Sequence, residues 1–305
     1  MITIEVKITG RCNQSCFHCV NCDGGPSGRD IDHRLFVDRL HKQIIQERSR
    51  GRKIKEVRIT GGEPLLNISG LTAIAECCAA SGIKCGINTN GLLLADDDVL
   101  AQLKDSGIRI VKISLDSLNP VTFGRMRGTR DSLDKVLDGI VRSVESGFEV
   151  MVRFTITALN RDELLPCYRY ACEAGASRFQ VKPLIEAGLG TSSGAGLSSG
   201  ELSKVYEELS LVREKSSSCI PEILCTPPGE AFGVAAKTCG SANKIYVSAN
   251  GDVCSCNFIA GRKIGSIVDM TFSEILDRRA ELESFRTKDG EPVLEGCPRY
   301  VGDTD

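Results

Sequence analysis

The chain opens on an alternation of apolar and polar positions, Ile2-Thr3-Ile4-Glu5-Val6-Lys7, which is the period of a strand with one buried face. Segments rich in Ile and Val recur at 55–59, 84–88, 110–114, 149–156 and 178–182. Stretches with helical periodicity lie between them, at 34–48, 70–81, 132–146 and 162–174. Strand and helix alternating along one chain predict a parallel sheet joined by crossover helices. With the opening segment the count is six strands, which suggests a partial (β/α)6, TIM-like barrel with its site at the C-terminal ends of the strands.

The sixth strand ends near Lys182-Pro183, and Gly, Ser and Ala then dominate from Glu186 to Gly200, the composition of a flexible connection. A helical stretch starts near Glu201. From Cys219 the texture changes to cysteines and short β-like pieces, 244–248 and 252–255, around Ala249-Asn250-Gly251. Asn-Gly between such pieces reads as a hairpin turn. A late helix is expected over 272–284. The organisation expected is a barrel over 1–185, a Gly/Ser-rich connection over 186–200, and a helix plus a small cysteine-rich domain over 201–305. No internal repeat is evident.

Composition narrows the picture. The 305 residues are 41% apolar, ample for a core. The 38 Lys and Arg nearly cancel the 40 Asp and Glu, and neither sign forms a long block, so no nucleic-acid or lipid partner is indicated. No apolar run is long enough to span a bilayer and no signal-like segment precedes the first strand, so a soluble, cytoplasmic protein is expected. Fifteen cysteines is a high and odd count. In a reducing compartment it points to metal or catalysis rather than to disulfides.

Directly after the first strand comes Gly10-Arg11-Cys12-Asn13-Gln14-Ser15-Cys16-Phe17-His18-Cys19, a CxxxCxxC run. Three thiolates on one small loop leave one iron of a [4Fe–4S] cube open. Close cysteines also suit a zinc knuckle, although zinc sites usually offer two matched pairs. The second strand ends in Thr60-Gly61-Gly62-Glu63-Pro64, where the glycines let backbone approach a ligand and a carboxylate can meet an ammonium group. The same residues also suit a plain tight loop.

Together, in this order and each at a strand end, the two motifs resemble those of the radical S-adenosylmethionine (SAM) superfamily over roughly the first 182 residues. The resemblance implies that Cys12, Cys16 and Cys19 hold the cluster while SAM chelates its fourth iron. It implies that Gly61, Gly62 and Glu63 hold the amino group of SAM. Asn88-Thr89-Asn90-Gly91 and Ile113-Ser114-Leu115-Asp116-Ser117 look like the family's nucleoside-contacting segments, so Asn88, Ser114 and Asp116 are candidates, with Ser114 favoured for the ribose. Arg153 can offer a planar fork to the carboxylate of SAM, or form an ordinary salt bridge. The family's chemistry is reductive cleavage of SAM to a 5′-deoxyadenosyl radical, which requires an external electron donor such as flavodoxin or ferredoxin.

In the tail, Cys239 and Cys256 stand on either side of the hairpin, which folds them together. The spacing resembles the auxiliary-cluster region of radical SAM enzymes with SPASM or shortened twitch domains. That resemblance implies an auxiliary [4Fe–4S] cluster with Cys297 as a third ligand. The fourth stays open among Cys225, Cys219, Cys254 and substrate. Cys77, Cys78, Cys85, Cys167 and Cys172 read as small buried apolar residues.

The resemblance extends to subfamilies that include sugar-alcohol dehydrogenases, peptide maturases and epimerases of the neomycin C type, so the substrate must be argued from other residues. Cys254, beside the presumed ligand Cys256, can serve as a hydrogen-atom donor. That favours epimerisation of an amino sugar, a small-molecule substrate. A dehydrogenase of an aminocyclitol, a maturase acting on a peptide, and a non-enzymatic iron–sulfur redox sensor are the alternatives. His18, between two ligands, and His33, at a helix start, receive no catalytic role, and Asp96-Asp97-Asp98 reads as a helix N-terminus rather than a metal site.

Overall fold

The computed structural model describes residues 2–20, 28–50, 53–129, 132–185, 187–213, 219–224, 235–237, 243–256, 258, 263–282, 285–288 and 291–294. The six expected strands are β1 (Ile2–Lys7), β2 (Ile54–Thr60), β3 (Lys84–Thr89), β4 (Ile110–Ser114), β5 (Glu149–Ile156) and β6 (Arg178–Pro183). They are parallel neighbours in chain order. Crossovers run through α1 (His33–Arg50), α2 (Ile68–Ala80), α3 (Asp97–Asp105), α4 (Pro120–Arg127), α5 (Leu133–Glu145) and α6 (Leu164–Glu173). The partial TIM-like barrel read from the sequence is therefore present. Asp96 caps α3 by accepting from the amide of Asp98, as the acidic run suggested. The short α4 was not anticipated: Asn119 caps it and Pro120 opens it, but its apolar residues are too few to show a helical period.

Alternate strand residues divide the sheet into two unlike faces. Ile4, Val6, Val57, Ile59, Ile87, Val111, Ile113, Val152, Phe154, Phe179 and Val181 form the apolar core. The intervening positions carry charged side chains, Glu5 and Lys7, Glu56 and Arg58, Lys112, Arg153 and Lys182, joined by the polar Gln180. A complete (β/α)8 barrel fills its interior with branched apolar side chains; this concave face is instead an ion ladder. Arg58 donates to both oxygens of Glu56 at 2.8 Å, Lys112 lies 4.0 Å from Glu56, and Gln180 donates to Glu222 at 2.8 Å. Burial pushes the Lys112 ammonium down, Arg58 and Arg153 add to it, and the group falls to about 7. Burial pushes the Glu5 carboxyl up, but Lys244, Arg153 and Arg58 outweigh it and hold it at about 2.

The sheet runs past six strands at both edges. After α7 (Ser199–Arg213), β7 (Ile220–Leu224) and β8 (Ala235–Lys237) continue it beyond β6 in parallel. At the other edge β9 (Lys244–Val247) pairs in parallel with β1, and β10 (Asp252–Cys254) and β11 (Gly265–Ser266) follow antiparallel. The expected hairpin forms, with Gly251 at φ 83° in the turn. Helix α8 (Phe272–Leu282) packs on α1 through an edge-to-face contact of Phe36 and Phe272, at 5.8 Å between ring centroids. The strands β12 (Phe285–Lys288) and β13 (Glu291–Leu294) form a separate two-stranded pair.

Candidate active site

A cavity of about 710 Å³ opens on the charged face of the sheet. Its wall brings together Cys12, Cys16 and Cys19, Gly61 and Gly62, Asn88, Ser114, Arg153 and Cys256. Glu63, Asp116 and Cys254 are not among the lining residues. Cys239, Cys297 and Cys225 lie outside the described residues.

The two barrel motifs are bonded directly to each other. The Gly62 amide donates to Thr9 O at 2.8 Å and the Glu63 amide to Arg11 O at 2.7 Å. A Cβ at Gly62 would stand 2.2 Å from Arg11 O, so a side chain there would push the cysteine loop out of place. Close approach of the two loops, rather than only of a ligand, accounts for the glycine pair.

Partial desolvation pushes the Cys12 thiol up to about 11, with the negative charges of Glu63, Cys16 and Cys19 adding to it. Burial raises the Cys16 thiol, and Arg127 partly offsets this. Close thiols that make ionisation of Cys12 and Cys16 costly form, with Cys19, a donor set that an iron–sulfur cube, as a shared cation, would relieve. No three of the described His, Cys, Asp or Glu side chains are grouped for a single metal ion. On the wall, the Asn88 Oδ1 is buried and has no partner among the described residues, leaving an acceptor for a bound molecule.

Glu63 was expected to meet the SAM ammonium with its side chain. Its carboxylate is instead fully buried and occupied, accepting from the Leu65 amide at 3.1 Å, the Thr89 hydroxyl at 2.8 Å and the Asn90 amide at 2.8 Å. Burial pushes it up to about 7 against those three bonds. It ties the end of β2 to the end of β3 and leaves the wall to Gly61 and Gly62. Asp116 is likewise behind the wall: one oxygen accepts from the Thr155 amide at 2.7 Å and the other is 2.6 Å from Arg127 Nη2.

His18, which received no role from sequence, and Arg127, which sequence did not single out, both line the cavity. His18 Nε2 lies 3.5 Å from Asp116, and burial, with Arg127 and Lys182, holds its imidazole down at about 4 although Asp116 opposes them, so the ring is neutral at pH 7. The one sequence signal for Arg127 is its place in the last helical turn before Gly128, a position that basic residues favour for the helix dipole alone.

On the tail side, Ser255 and Cys256 reach the cavity, and Lys182 Nζ stands 4.2 Å above the ring of Phe258. The Cys254 thiol donates to Cys256 O at 3.4 Å.

A family model described as the radical SAM superfamily matches residues 6–170. The chain belongs to the radical SAM superfamily. A second model, described as the SPASM iron–sulfur cluster-binding domain, matches residues 239–299. Among curated relatives, a GTP 3′,8-cyclase of Xanthomonas axonopodis pv. citri (strain 306) is 34% identical over 168 residues, 53% of this chain and 49% of that protein. The chain thus spans about half the length of the first curated relatives it matches. The fold is shared with Streptococcus suis SuiB bound to its precursor peptide SuiA, at a TM-score of 0.72 and 16% identity over 94% of this chain and 67% of that one. It is also shared with native anSMEcpe with bound AdoMet, at 0.70 and 17% over 92% and 83%. The family brings its cofactors: a [4Fe–4S] cluster with SAM at the open iron and, with the SPASM domain, an auxiliary iron–sulfur cluster. No described helix is long and apolar enough to cross a membrane.

Proposed function

We propose that this radical SAM enzyme inverts one carbon of an amino sugar, with Cys254 as the hydrogen-atom donor; the thiyl radical this leaves takes one electron that originates in the external donor and one proton from solvent, which restores the thiol. When bound, SAM and its cluster supply a radical able to remove hydrogen from an unactivated carbon. Cys12, Cys16 and Cys19 hold that cluster, and an external flavodoxin or ferredoxin feeds it. Gly61 and Gly62 form the backbone rim for the SAM amino group, Arg153 pairs with its carboxylate, and Asn88 and Ser114 take the nucleoside. Cys239, Cys256 and Cys297 hold the auxiliary cluster.

The observation that carries this reading is the meeting of two thiol sets on one cavity, Cys12, Cys16 and Cys19 from the barrel and Cys256 from the hairpin, with Cys254 two residues away. The Cys254 thiol reaches a substrate only by leaving the Cys256 carbonyl, so its donation follows a local rearrangement. Turnover of amino sugars in D2O should place one deuterium at the inverted carbon. Cys254→Ala should still form 5′-deoxyadenosine but yield no inverted product; inversion by that variant would overturn the assignment.

A second reading is favoured by charge. Lys55, Arg58, Arg153, Lys182 and Lys244 line the cavity, with Glu5 its one lining carboxylate among the described residues. Such a wall suits an anionic substrate, and the curated relatives are named GTP 3′,8-cyclases. Whether GTP or an amino sugar drives 5′-deoxyadenosine formation above the substrate-free rate decides between the two.

A further inference from the structure

The C-terminal end of α4 touches the cysteine loop twice. The Arg127 carbonyl accepts from the Ser15 amide at 3.1 Å, and Arg127 Nη1 donates to Cys16 Sγ at 3.7 Å. The other arm of the guanidinium, Nη2, lies 2.6 Å from Asp116 Oδ2, with side-chain exposures of 7% and 0% for the two residues. Asp116 is fixed in turn by the Thr155 amide on β5. One buried cation is therefore held between one buried carboxylate and one thiol sulfur.

Hydrogen bonds and charges at cysteine sulfurs set the reduction potential of an iron–sulfur cluster, because reduction adds negative charge that a nearby donor stabilises. A guanidinium keeps its charge at any working pH, and its rigid fork allows it to serve two acceptors at once. We propose that Arg127 raises the reduction potential of the SAM-binding cluster through Cys16, and that Asp116 limits how much of the guanidinium charge the sulfur receives. Arg127 is in this respect a positioning and tuning residue. The inference rests on the reading above that Cys12, Cys16 and Cys19 hold that cluster.

The test is an anaerobic redox titration of the full chain with both clusters reconstituted, followed by electron paramagnetic resonance and reading the signal that changes on addition of SAM. Arg127→Gln should move the midpoint to a more negative potential, and Arg127→Lys, which keeps the charge, should stay closer to the wild type. Asp116→Asn should move it the opposite way, to a more positive potential. A structural role alone would shift all three variants in one direction, and that result, or an unmoved midpoint in Arg127→Gln, overturns the proposal. If Asp116→Asn does not fold, the Gln and Lys pair still decides, since charge retention separates them. A wild-type protein with no SAM-responsive signal, whose iron is unchanged by Cys16→Ala, would instead overturn the ligand assignment, so the two failures are distinguishable.

Discussion

The cysteine loop and the tail hairpin meet on one cavity but are built on different terms. The loop is local: its three thiols lie within Cys12–Cys19, and the loop is braced by backbone bonds to the glycine pair and to the end of α4. The hairpin is remote: Cys256 reaches the cavity, with Cys254 two residues away behind its wall, because β9 adds to the free edge of β1, matching Ile4 with Ile245 and Val6 with Val247. A motif carries the first site, whereas a sheet edge carries the second. Damage to one should therefore leave the other standing.

The largest effect is expected from the loop. Cys12→Ala, Cys16→Ala or Cys19→Ala should abolish SAM cleavage, and the triple variant should lose the iron of one cube, about four atoms, while the tail keeps its own. Iron analysis with Mössbauer spectroscopy reads this directly. Loss of all iron would break the comparison, because the two regions would then stand or fall together.

The hairpin is tested at its edge. Ile245 is fully buried in the core, so Ile245→Ala should cost roughly 2–5 kcal/mol of stability. Anaerobic denaturant unfolding measures the loss. The same variant should bind less auxiliary iron yet retain substrate-free 5′-deoxyadenosine formation, since no atom of the cysteine loop is altered.

Sequence made the first region far more legible than the second. Six strands, CxxxCxxC and GGEP follow from periodicity and short spacing, which survive without any knowledge of the fold. The partners of buried charges do not. Glu63 looks like a ligand from sequence because a carboxylate stands after two glycines, yet Thr89 and Asn90, from the next strand end, occupy it. Asp116 is claimed by Thr155, 39 residues later, and by Arg127 on a helix too short to show its period. The parallel addition of β9 to β1 is equally silent in sequence, since β9 has only four residues and nothing local names its partner.

The Glu63 staple gives a pH test of the loop's bracing. Its folded pKa of about 7 lies above the ordinary 4.5, so the folded state holds this proton more tightly than the unfolded state. The resulting stability is present below pH 4.5 and is lost as pH rises through 7, by up to about 3 kcal/mol. Glu63→Gln should lack that decline, so its unfolding free energy between pH 4.5 and 8 should fall less than that of the wild type. Identical pH slopes would mean that Glu63 ionises as an exposed carboxylate does, and that its burial between the two strand ends does not disfavour the charged form.

The smallest effect belongs to the hairpin turn. Gly251 holds φ at 83°, where an L side chain costs about 1–2 kcal/mol, and an added Cβ would come within 3.1 Å of Ile267 Cγ1. Gly251→Ala should carry both costs. Gly251→Asn meets the same neighbour but tolerates the left-handed region better, so its midpoint in denaturant should lie between those of Gly251→Ala and the wild type. If the two variants unfold together, contact with Ile267 rather than backbone handedness limits the turn. The hairpin would then owe its position to packing beneath β11 as much as to its pairing with β1, which would make the second region less dependent on the sheet edge than the register alone implies.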